Sequence, residues 1–494
     1  MGEEEQREKE KNMLAGALSW NCATASSDLK LLTTLLLFLF SLATVIIFLP
    51  SNLSLSPSDL RLCLSKLPTT PQPLSPPPTP PPLDVVLPSG ALKRTLTPHG
   101  GAAYTFILMS AYRGGLHTFS VIALSSKPLH RFSTPSYQCQ WVPHNSFAPT
   151  ATTAGYKILP DWGYGRVYTV VIINCTFPAP VGRDGLGGKL LLIASTNGGG
   201  DKSLNLTDTV EALVEKPNTL NPLYYTDPPK YEYLYCGSPL FGNISPQRVR
   251  EWLAYHVRLF GRRSHFVMYD AGGVEEAVME VLRPWMEKGF VSLHDVREQE
   301  RFDGYYHNQF LMLNDCLHRY RFDAKWMFFF DVDEFIYVVK KSSIKSVTES
   351  VSDYTQFFIQ QMSMASNLCL SEDKGVSHRK WGFEKLVYRD VKKVGRRDRK
   401  YAMQPRNVFA TGVHLTQDLV GKSTHHTEGL IKYFHYHGVL AERRDPCCQF
   451  YNATTINVDG NPYVMDTKLR GIAATVKRFE VDTIGPRLQQ GTRQ

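Results

Sequence analysis

The longest uninterrupted hydrophobic segment spans residues 31–49, and its 19 residues include no charged side chain. That length is close to what a helix needs to cross the hydrocarbon core of a bilayer, about 30 Å. The segment begins about thirty residues into the chain and is longer than the apolar part of a cleaved signal peptide. We therefore predict an uncleaved transmembrane anchor at 31–49 that follows a cytoplasmic tail at 1–30.

The next segment is dominated by proline. Ten prolines lie between Pro68 and Pro88. Such a composition favours an extended polyproline II conformation and cannot supply a hydrophobic core. We predict a stem over residues 50–95, and a proline-rich ligand for a partner domain is the alternative.

Short apolar and β-branched runs follow between Ala103 and Val214, separated by clusters of Gly, Pro and Asn. This spacing is typical of β-strands and predicts a β-sandwich domain over residues 96–216. One Gly-rich connection contains Tyr156, Trp162 and Tyr164. Their rings either pack inside the sandwich or stack on sugars.

From residue 230 onwards, strands alternate with amphipathic helices. The predicted helices are 246–260, 274–288 and 305–319, and the strands between them end in the apolar run 326–338. An apolar strand after this alternation indicates a parallel α/β sheet covered on both faces. We predict an α/β domain over 230–465 and a tail over 466–494, with the ligand at the carboxyl ends of the strands.

The amino-acid composition and charge restrict the classes of possible binding partner but do not identify one. The 494-residue chain is 43% hydrophobic and 20% charged, values that exclude a wholly disordered or coiled-coil protein. Its net charge of +9 favours an anionic partner such as nucleic acid, an anionic sugar polymer or a sugar nucleotide. Asn-x-Ser/Thr triplets and several cysteines after the apolar segment predict that the bulk of the chain is lumenal, glycosylated and able to form disulfides.

The strongest candidate site is the Asp331-Val332-Asp333 sequence at the end of the apolar strand. In an extended strand Asp331 and Asp333 would point to the same side. Two carboxylates that leave an apolar strand repel each other unless a cation lies between them. Oxygen ligands favour Mn²⁺ or Mg²⁺, which can also bind phosphate oxygens. A pair of acids that caps loop amides is the alternative.

Other polar residues are expected near this edge of the sheet. His435 and His437 share one face of a predicted strand, and either could add a metal ligand. The basic run 396–400 either neutralises a diphosphate or is a solvated loop. Residues at the ends of earlier strands, or on the third helix, are candidates to bind the nucleotide: Ser238, Pro239, Tyr269, Asp270, His307, Asn314 and Asp315.

Taken together, five segments resemble plant β-1,4-galactan synthases of glycosyltransferase family 92: 235–242, 266–270, 314–321, 329–335 and 432–437. The resemblance implies a GT-A fold, a type II Golgi membrane protein and a Mn²⁺-dependent Asp-x-Asp motif. It also implies UDP-galactose as donor, a β-1,4-galactan acceptor on pectic rhamnogalacturonan I, and a β-rich module that resembles carbohydrate-binding modules.

A β-linkage made from an α-linked donor inverts the anomeric carbon, so a carboxylate should remove the proton of the acceptor hydroxyl. Candidates for this base are Glu372 and Asp373, which resemble the x-Glu-Asp motif of inverting GT-A enzymes, and Asp418. The alternatives are a GT-A enzyme with another sugar nucleotide and a catalytically silent glycan-binding protein. No nucleic-acid partner is predicted, and assembly as a homodimer stays open.

Overall fold

The computed structural model describes residues 84–489, apart from 102–103, 127–134, 146, 162, 165–166, 196–206, 392–398, 428 and 442. The predicted anchor at 31–49 and most of the predicted stem therefore lie outside the described residues. None of the helices within the described ranges has the length and apolar character needed to span a bilayer. The described residues all belong to one compact unit.

The described residues between 84 and 215 form ten strands. Strands β3 to β10 form one antiparallel sheet, the N-terminal sheet, in the order β10-β9-β6-β7-β8-β5-β4-β3. The two ends of this sheet approach each other, because β10 lies beside β3 and β4. The predicted β-sandwich thus takes the form of one sheet that folds back on itself. The strands are β1 (Asp84–Val86), β2 (Leu92–Arg94), β3 (Thr97–Gly101), β4 (Tyr104–Arg113), β5 (Thr118–Ser126), β6 (Ser136–Pro143), β7 (Ala151–Ile158), β8 (Tyr168–Thr176), β9 (Gly188–Ser195) and β10 (Thr207–Glu215).

The next part of the chain alternates strands and helices, as the hydrophobic pattern predicts. Its four strands are parallel and lie in the order β13-β12-β11-β14. The order changes direction between β11 and β14, and ligands of such sheets bind at this kind of switch point. The elements are β11 (Tyr231–Cys236), α1 (Pro246–Phe260), β12 (Ser264–Asp270), α2 (Glu276–Glu287), β13 (Val291–Asp295), α3 (Gln309–Arg319) and β14 (Ala324–Phe329).

The rest of the chain extends this core into a mixed sheet. Beyond β14 the order continues β19-β16-β23-β15, and both neighbours of β19 run antiparallel to it. The elements are β15 (Glu334–Val338), α4 (Ile344–Ser350), β16 (Gln356–Ser363), β17 (Leu368–Leu370), α5 (Gly382–Lys385), β18 (Tyr388–Asp390), β19 (Lys400–Met403), β20 (Val408–Thr411), β21 (Thr416–Leu419), β22 (Ser423–Thr424), β23 (Ile431–His435), β24 (Gln449–Tyr451), β25 (Thr455–Val458), β26 (Asn461–Met465) and α6 (Ala473–Ile484). Short 3₁₀ helices span Pro222–Tyr225, Arg297–Arg301, Ser371–Asp373, Ser377–Arg379, Pro405–Asn407, Arg470–Ile472 and Pro486–Gln489.

Two elements differ from the sequence prediction. The apolar run 326–338 is two strands, because the chain turns between β14 and β15, and the two strands pair with different neighbours. The third predicted helix begins at Gln309, since Tyr306, His307 and Asn308 have left-handed φ angles of 47°, 55° and 59°. Non-glycine residues rarely adopt this conformation, so three in succession form a strained turn in front of α3.

The predicted stem and tail also contribute to the folded unit. Strand β2 pairs in parallel with β13, so the mixed sheet includes residues from the segment predicted as stem. Helix α6 packs on α1, where Arg250 and Glu480 form a buried ion pair with an N–O distance of 2.6 Å. The folded chain is therefore longer at both ends than the predicted domains.

The N-terminal sheet and the mixed sheet share a hydrophobic core. Along β4, Phe106 and Leu108 pack inside the N-terminal sheet. The alternating residues Ile107 and Met109 belong instead to the core that contains the apolar residues of α3. Since α3 contacts β4, β5 and β8, the N-terminal sheet is a structural support of the mixed sheet and not a separate body.

Three disulfides occur among the described cysteines. Cys139 bonds Cys175 within the N-terminal sheet, and Cys236 bonds Cys316, which links β11 to α3. A third bond joins Cys369 to Cys447. The adjacent Cys448 is exposed and is the free cysteine of the described ranges.

Four buried histidines should make the protein less stable in acid. Burial lowers the pKa of two of them to about 3 and of the other two to about 4, whereas an unfolded histidine titrates near 6.5. Below about pH 6.5 the unfolded chain therefore binds protons that the native chain does not. We expect the free energy of unfolding to have its full value above that pH. As the pH decreases towards 4, each of these histidines should lower it by roughly 1.4 kcal/mol per pH unit. The four are His256, His265, His294 and His318.

His256 offers the sharpest test, because its hydrogen bonds define a neutral ring. The Trp252 carbonyl accepts from Nδ1 at 2.8 Å, and the Ile336 amide donates to Nε2 at 3.1 Å. Urea unfolding of His256→Gln at several pH values should show a shallower dependence than the parent. The exposed His378→Gln should keep the parent slope. Unfolding free energies that do not decrease between pH 7 and pH 5 would contradict the expectation.

Candidate active site

Two strand ends meet at the switch point of the mixed sheet. Ser238 follows β11 and Asp331 follows β14, and the Ser238 hydroxyl donates a hydrogen bond to Asp331 Oδ1. Gln309, the first residue of α3, donates from Nε2 to the Ser238 hydroxyl. The Asp331 carboxylate is therefore bound by Ser238, whose hydroxyl is in turn held by Gln309, at the position where the topology predicts a ligand.

The segment Asp331 to Glu334 is a tight turn and not a continuous strand. The Glu334 amide donates to the Asp331 carbonyl at 3.1 Å, and Glu334 Oε2 accepts from the Asp331 amide at 2.8 Å. The expected alternation of an extended chain does not apply here. As a result, Asp331 and Asp333 have different partners.

Asp331 is paired with a lysine. Lys400 on β19 is buried, and its Nζ lies 2.6 Å from Asp331 Oδ2 and 3.6 Å from Glu334 Oε2. Burial alone would favour the neutral acid, but Lys400 and the Ser238 hydroxyl hold the pKa of Asp331 at about 2. Asp331 is thus ionised, and the cation beside it is a residue of the predicted basic run.

Asp333 instead faces a histidine. His435 Nε2 lies 3.4 Å from Asp333 Oδ2, and His435 Nδ1 lies 3.4 Å from Glu334 Oε1. One ligand atom from each of these three residues lies within 4.8 Å of the others. Glu334 Oε1 is buried without a hydrogen bond. This group has the spacing and the donor types of a metal site.

The electrostatics of this group support that interpretation. Burial raises the pKa of Glu334, the charge of Lys400 opposes the shift, and the charges of Asp331 and Asp333 add to it. Burial opposes the charged form of His435, yet Glu334 and Asp333 raise the pKa of its imidazole above the usual value. A divalent cation would relieve this excess of negative charge.

The two predicted histidines have different positions. His435 contacts the carboxylates, whereas the ring of His437 packs against that of His435 at a tilt of 34°, with centroids 3.6 Å apart. Gln361 lies 3.2 Å from His435 Nδ1 and 3.2 Å from His437 Nε2, measured from its amide nitrogen. Asp331, Asp333, Glu334 and His435 thus form one cluster, which we call the carboxylate group. His437 lies behind it and contacts His435.

Comparison with known proteins identifies the family of the chain. A model of Glycosyltransferase family 92 matches residues 231–474. Galactan beta-1,4-galactosyltransferase GALS3 of Arabidopsis thaliana is 54% identical over 100% of this chain and 99% of its own length, and GALS2 of the same plant is 55% identical over equal shares. The chain belongs to glycosyltransferase family 92. Beta-1,4-galactosyltransferase galt-1 of Caenorhabditis elegans is 25% identical, over 45% of this chain and 51% of its own length.

The part that matches family 92 contains the whole carboxylate group. Asp331, Asp333, Lys400 and His435 all lie between residues 231 and 474. The N-terminal sheet lies outside the match, although its β4, β5 and β8 pack on α3. The Arabidopsis relatives GALS3 and GALS2, by contrast, match the whole chain.

Among the predicted nucleotide-binding residues, two are buried elsewhere in the family 92 domain. The Tyr269 hydroxyl donates to Asp315 at 3.0 Å, and both side chains are fully buried. Asp315 also accepts from Arg94, Ser110 and Tyr112 of the N-terminal part of the chain. Their prediction as ligand-binding residues is corrected here, because their polar atoms already bind one another.

Asn314 is likewise structural. Its amide nitrogen donates to the Thr411 carbonyl at 2.8 Å, and its oxygen accepts from the Thr411 amide at 2.9 Å. This pair of bonds ties α3 to β20. With no exposed surface, Asn314 cannot contact a nucleotide.

The remaining candidates stay at the carboxyl edge of the strands. Asp270 Oδ1 accepts from the amides of Gly272 and Val274, at 2.9 Å and 3.0 Å, and so shapes the loop after β12. His307 stacks on Phe241 with a centroid distance of 3.9 Å. Pro239 lies beside Ser238 at the end of β11. Asp270, His307 and Pro239 therefore remain predicted donor-binding residues.

The three candidate bases have partners other than the carboxylate group. Asp373 is fully buried and binds Lys380 and Arg470, and the exposed Glu372 pairs with Arg470 at 2.5 Å. Asp418 lies on β21, opposite Ala410. In the described part of the chain, no hydrogen bond or ion pair joins these acids to Asp331, Asp333 or His435.

Proposed function

We propose that this protein is an inverting glycosyltransferase that moves galactose from UDP-galactose to the 4-hydroxyl of β-1,4-galactan, a side chain of pectic rhamnogalacturonan I. The observation that carries the proposal is the identity of 54% and 55% to two galactan beta-1,4-galactosyltransferases over the entire chain. The carboxylate group at the switch point supports it, since a nucleotide diphosphate binds at this edge of such sheets.

The donor set fits a divalent cation. Asp333 and Glu334 offer oxygen, His435 offers imidazole nitrogen, and Mn²⁺ accepts both, with Mg²⁺ as the alternative. The buried Glu334 Oε1 without a hydrogen bond is an available ligand atom. A bound cation would stabilise the negative charge on the departing diphosphate.

The residues around the cation site have separate tasks in the proposed reaction. Lys400 keeps Asp331 ionised, and the Ser238 hydroxyl donates to the same carboxylate. The residues proposed to bind the sugar nucleotide are therefore positioned before it binds. The acceptor oxygen attacks the anomeric carbon while the bond from that carbon to the diphosphate oxygen breaks. The acceptor proton passes to a carboxylate, and Glu372 is the proposed base because its side chain is exposed, whereas Asp373, which shares the partner Arg470, is fully buried.

The N-terminal sheet would contribute to acceptor binding. Tyr156 on β7 is 64% exposed, so it does not pack inside the sheet. Tyr164 packs against Tyr305 and Phe310 of the catalytic domain, with centroid distances of 4.8 Å and 5.5 Å. Trp162 lies outside the described residues. We propose that exposed rings of this module stack on galactan. We also propose that the protein is a type II membrane protein, held by the predicted anchor, and that it acts in the Golgi lumen. Assembly as a homodimer is left open.

A donor panel tests the proposed function. The purified protein would be given labelled β-1,4-galactan oligomers with UDP-galactose, UDP-glucose, UDP-arabinose or GDP-mannose. We expect elongated products from UDP-galactose, with linkages cleaved by a β-1,4-specific galactanase. Equal use of another donor, or binding of galactan without transfer from any donor, would overturn the assignment.

His435 should contribute more to metal binding than its neighbour. We expect His435→Gln to weaken Mn²⁺ binding by at least about tenfold, because a metal ligand is lost, and His437→Gln to have a smaller effect. Titration calorimetry with Mn²⁺ measures both, and chelation of the metal should stop transfer in the parent. Equal affinities of the two variants would contradict the assignment of His435.

A further inference from the structure

A large groove lies at the end of the mixed sheet opposite to the carboxylate group. Its volume is about 880 Å³, and Glu232 and Tyr233 at the start of β11 form part of its wall. Ser238 follows the other end of the same strand. A six-residue strand spans roughly 20 Å, which separates the groove wall at the start of β11 from Ser238, whereas along β15 the lining residue Tyr337 lies three residues after Glu334.

The lining of this groove, which we call the basic groove, is strongly cationic. Glu232 is the acid that lines it, and this carboxylate already pairs with Lys325 at 3.0 Å. The cations come from the end of α1, from the segments around α4 and from the approach to α6. They are Arg258, Arg262, Arg263, Lys340, Lys345 and Lys468.

Several of these cations have no carboxylate partner among the residues that the structure describes. Lys345 has Glu349 at 3.7 Å and Lys468 has Asp466 at 2.5 Å. Within the described ranges, no carboxylate forms an ion pair with Arg258, Arg262 or Lys340, and all three are exposed. Three such charges around a concave surface focus a positive potential into it.

The groove also offers flat and polar surface. Tyr337 and Phe479 are half-buried, and the Ser342 and Ser343 side chains line the same wall. Rings can stack on the faces of sugar residues, while hydroxyls bond to their oxygens. A groove of this shape can accept an extended polymer chain, whereas a flat bilayer would leave the interior of the groove uncovered.

We propose that the basic groove binds a polysaccharide segment that carries carboxylates, such as a run of uronic acid residues. Charge complementarity selects this occupant, because neutral galactan would leave the unpaired cations without partners. The inference goes beyond the proposed transfer reaction, which uses neutral galactose units, and it can be measured without transfer. The groove would hold an acidic region of a polymer while another part reaches the transfer site.

Direct binding tests this proposal. The full chain in detergent would be titrated with oligogalacturonate of defined length, and the triple variant R258E/R262E/K340E would be compared with K216E/K288E/K374E, which makes the same charge change at exposed lysines elsewhere. We expect the groove variant to lose at least about tenfold in affinity and the control to lose less than threefold. Higher salt should weaken the parent interaction.

Several outcomes would overturn the proposal. They are equal affinity of the groove variant and the parent, equal losses in both triple variants, and displacement of oligogalacturonate by neutral galactan. Loss of binding to anionic phosphatidylserine vesicles with unchanged binding of oligogalacturonate would assign the groove to a membrane surface instead. Transfer to short neutral galactan should persist in the groove variant, so failure of this proposal is distinct from failure of the proposed function. If the triple variant does not fold, Lys340→Ala alone should still lower the affinity.

Discussion

Asp333→Asn should reduce galactose transfer by at least about a hundredfold and leave the fold intact. Asp333 offers a carboxylate oxygen to the group that contains Glu334 and His435, and asparagine supplies a neutral ligand of the same shape. Because the charge on the diphosphate grows as the donor bond breaks, the loss should appear mainly in kcat. Initial rates with UDP-galactose and labelled galactan measure it.

Asp353→Asn is the matched control for this variant. Asp353 is exposed and lies outside the carboxylate group, so the same chemical change there should leave the rate within twofold of the parent. Thermal melting of both variants checks that they fold. Transfer by Asp333→Asn at the parent rate would show that the proposed metal site is not needed for the reaction. An equal loss in both variants would show that the effect is not specific to Asp333.

Asp315→Ala should destabilise the protein by about 3–5 kcal/mol. Asp315 is fully buried, and its Oδ1 lies 2.7 Å from Arg94 Nη2. The variant would leave the buried guanidinium without this carboxylate and would also remove the acceptor of Tyr112 and Tyr269. The loss of one of the two carboxylates that pair with the buried Arg94, the other being Asp84, and the loss of an acceptor for two tyrosine hydroxyls together should cost this amount. Urea unfolding monitored by tryptophan fluorescence measures the change.

Asp303→Ala removes an exposed carboxylate near the same helix and should change the unfolding free energy by less than 1 kcal/mol. A loss in Asp315→Ala that is no larger than in this control would show that the network contributes little. By the same reasoning, deletion of the N-terminal sheet should give aggregated protein, since it uncovers the apolar residues of α3.

Local patterns in the sequence predicted the framework of the site well. Alternating strands and helices predicted the parallel order around β11, because each element carries its own periodicity. The position of Asp331 after an apolar strand predicted a ligand at the switch point. These features depend on a few consecutive residues, which are visible in a single chain.

Contacts between distant residues were not predictable in the same way. Lys400 pairs with Asp331 across 69 positions, and Asp315 binds Arg94 across 221. A buried acid on a helix has the same sequence signal whether it binds a substrate or an arginine. The turn at Asp331–Glu334 contains neither glycine nor proline, so the run 326–338 is indistinguishable from one strand.

The bond between Cys236 and Cys316 bears on how the enzyme can be produced. It joins β11 to α3, and at the ends of these two elements Ser238 donates to Asp331 while Gln309 donates to Ser238. In the cytosol of a bacterial expression host, where thiols stay reduced, this disulfide would not form. Recombinant material from such a host would then have a loosened donor side, whereas secretion from yeast or insect cells would retain it.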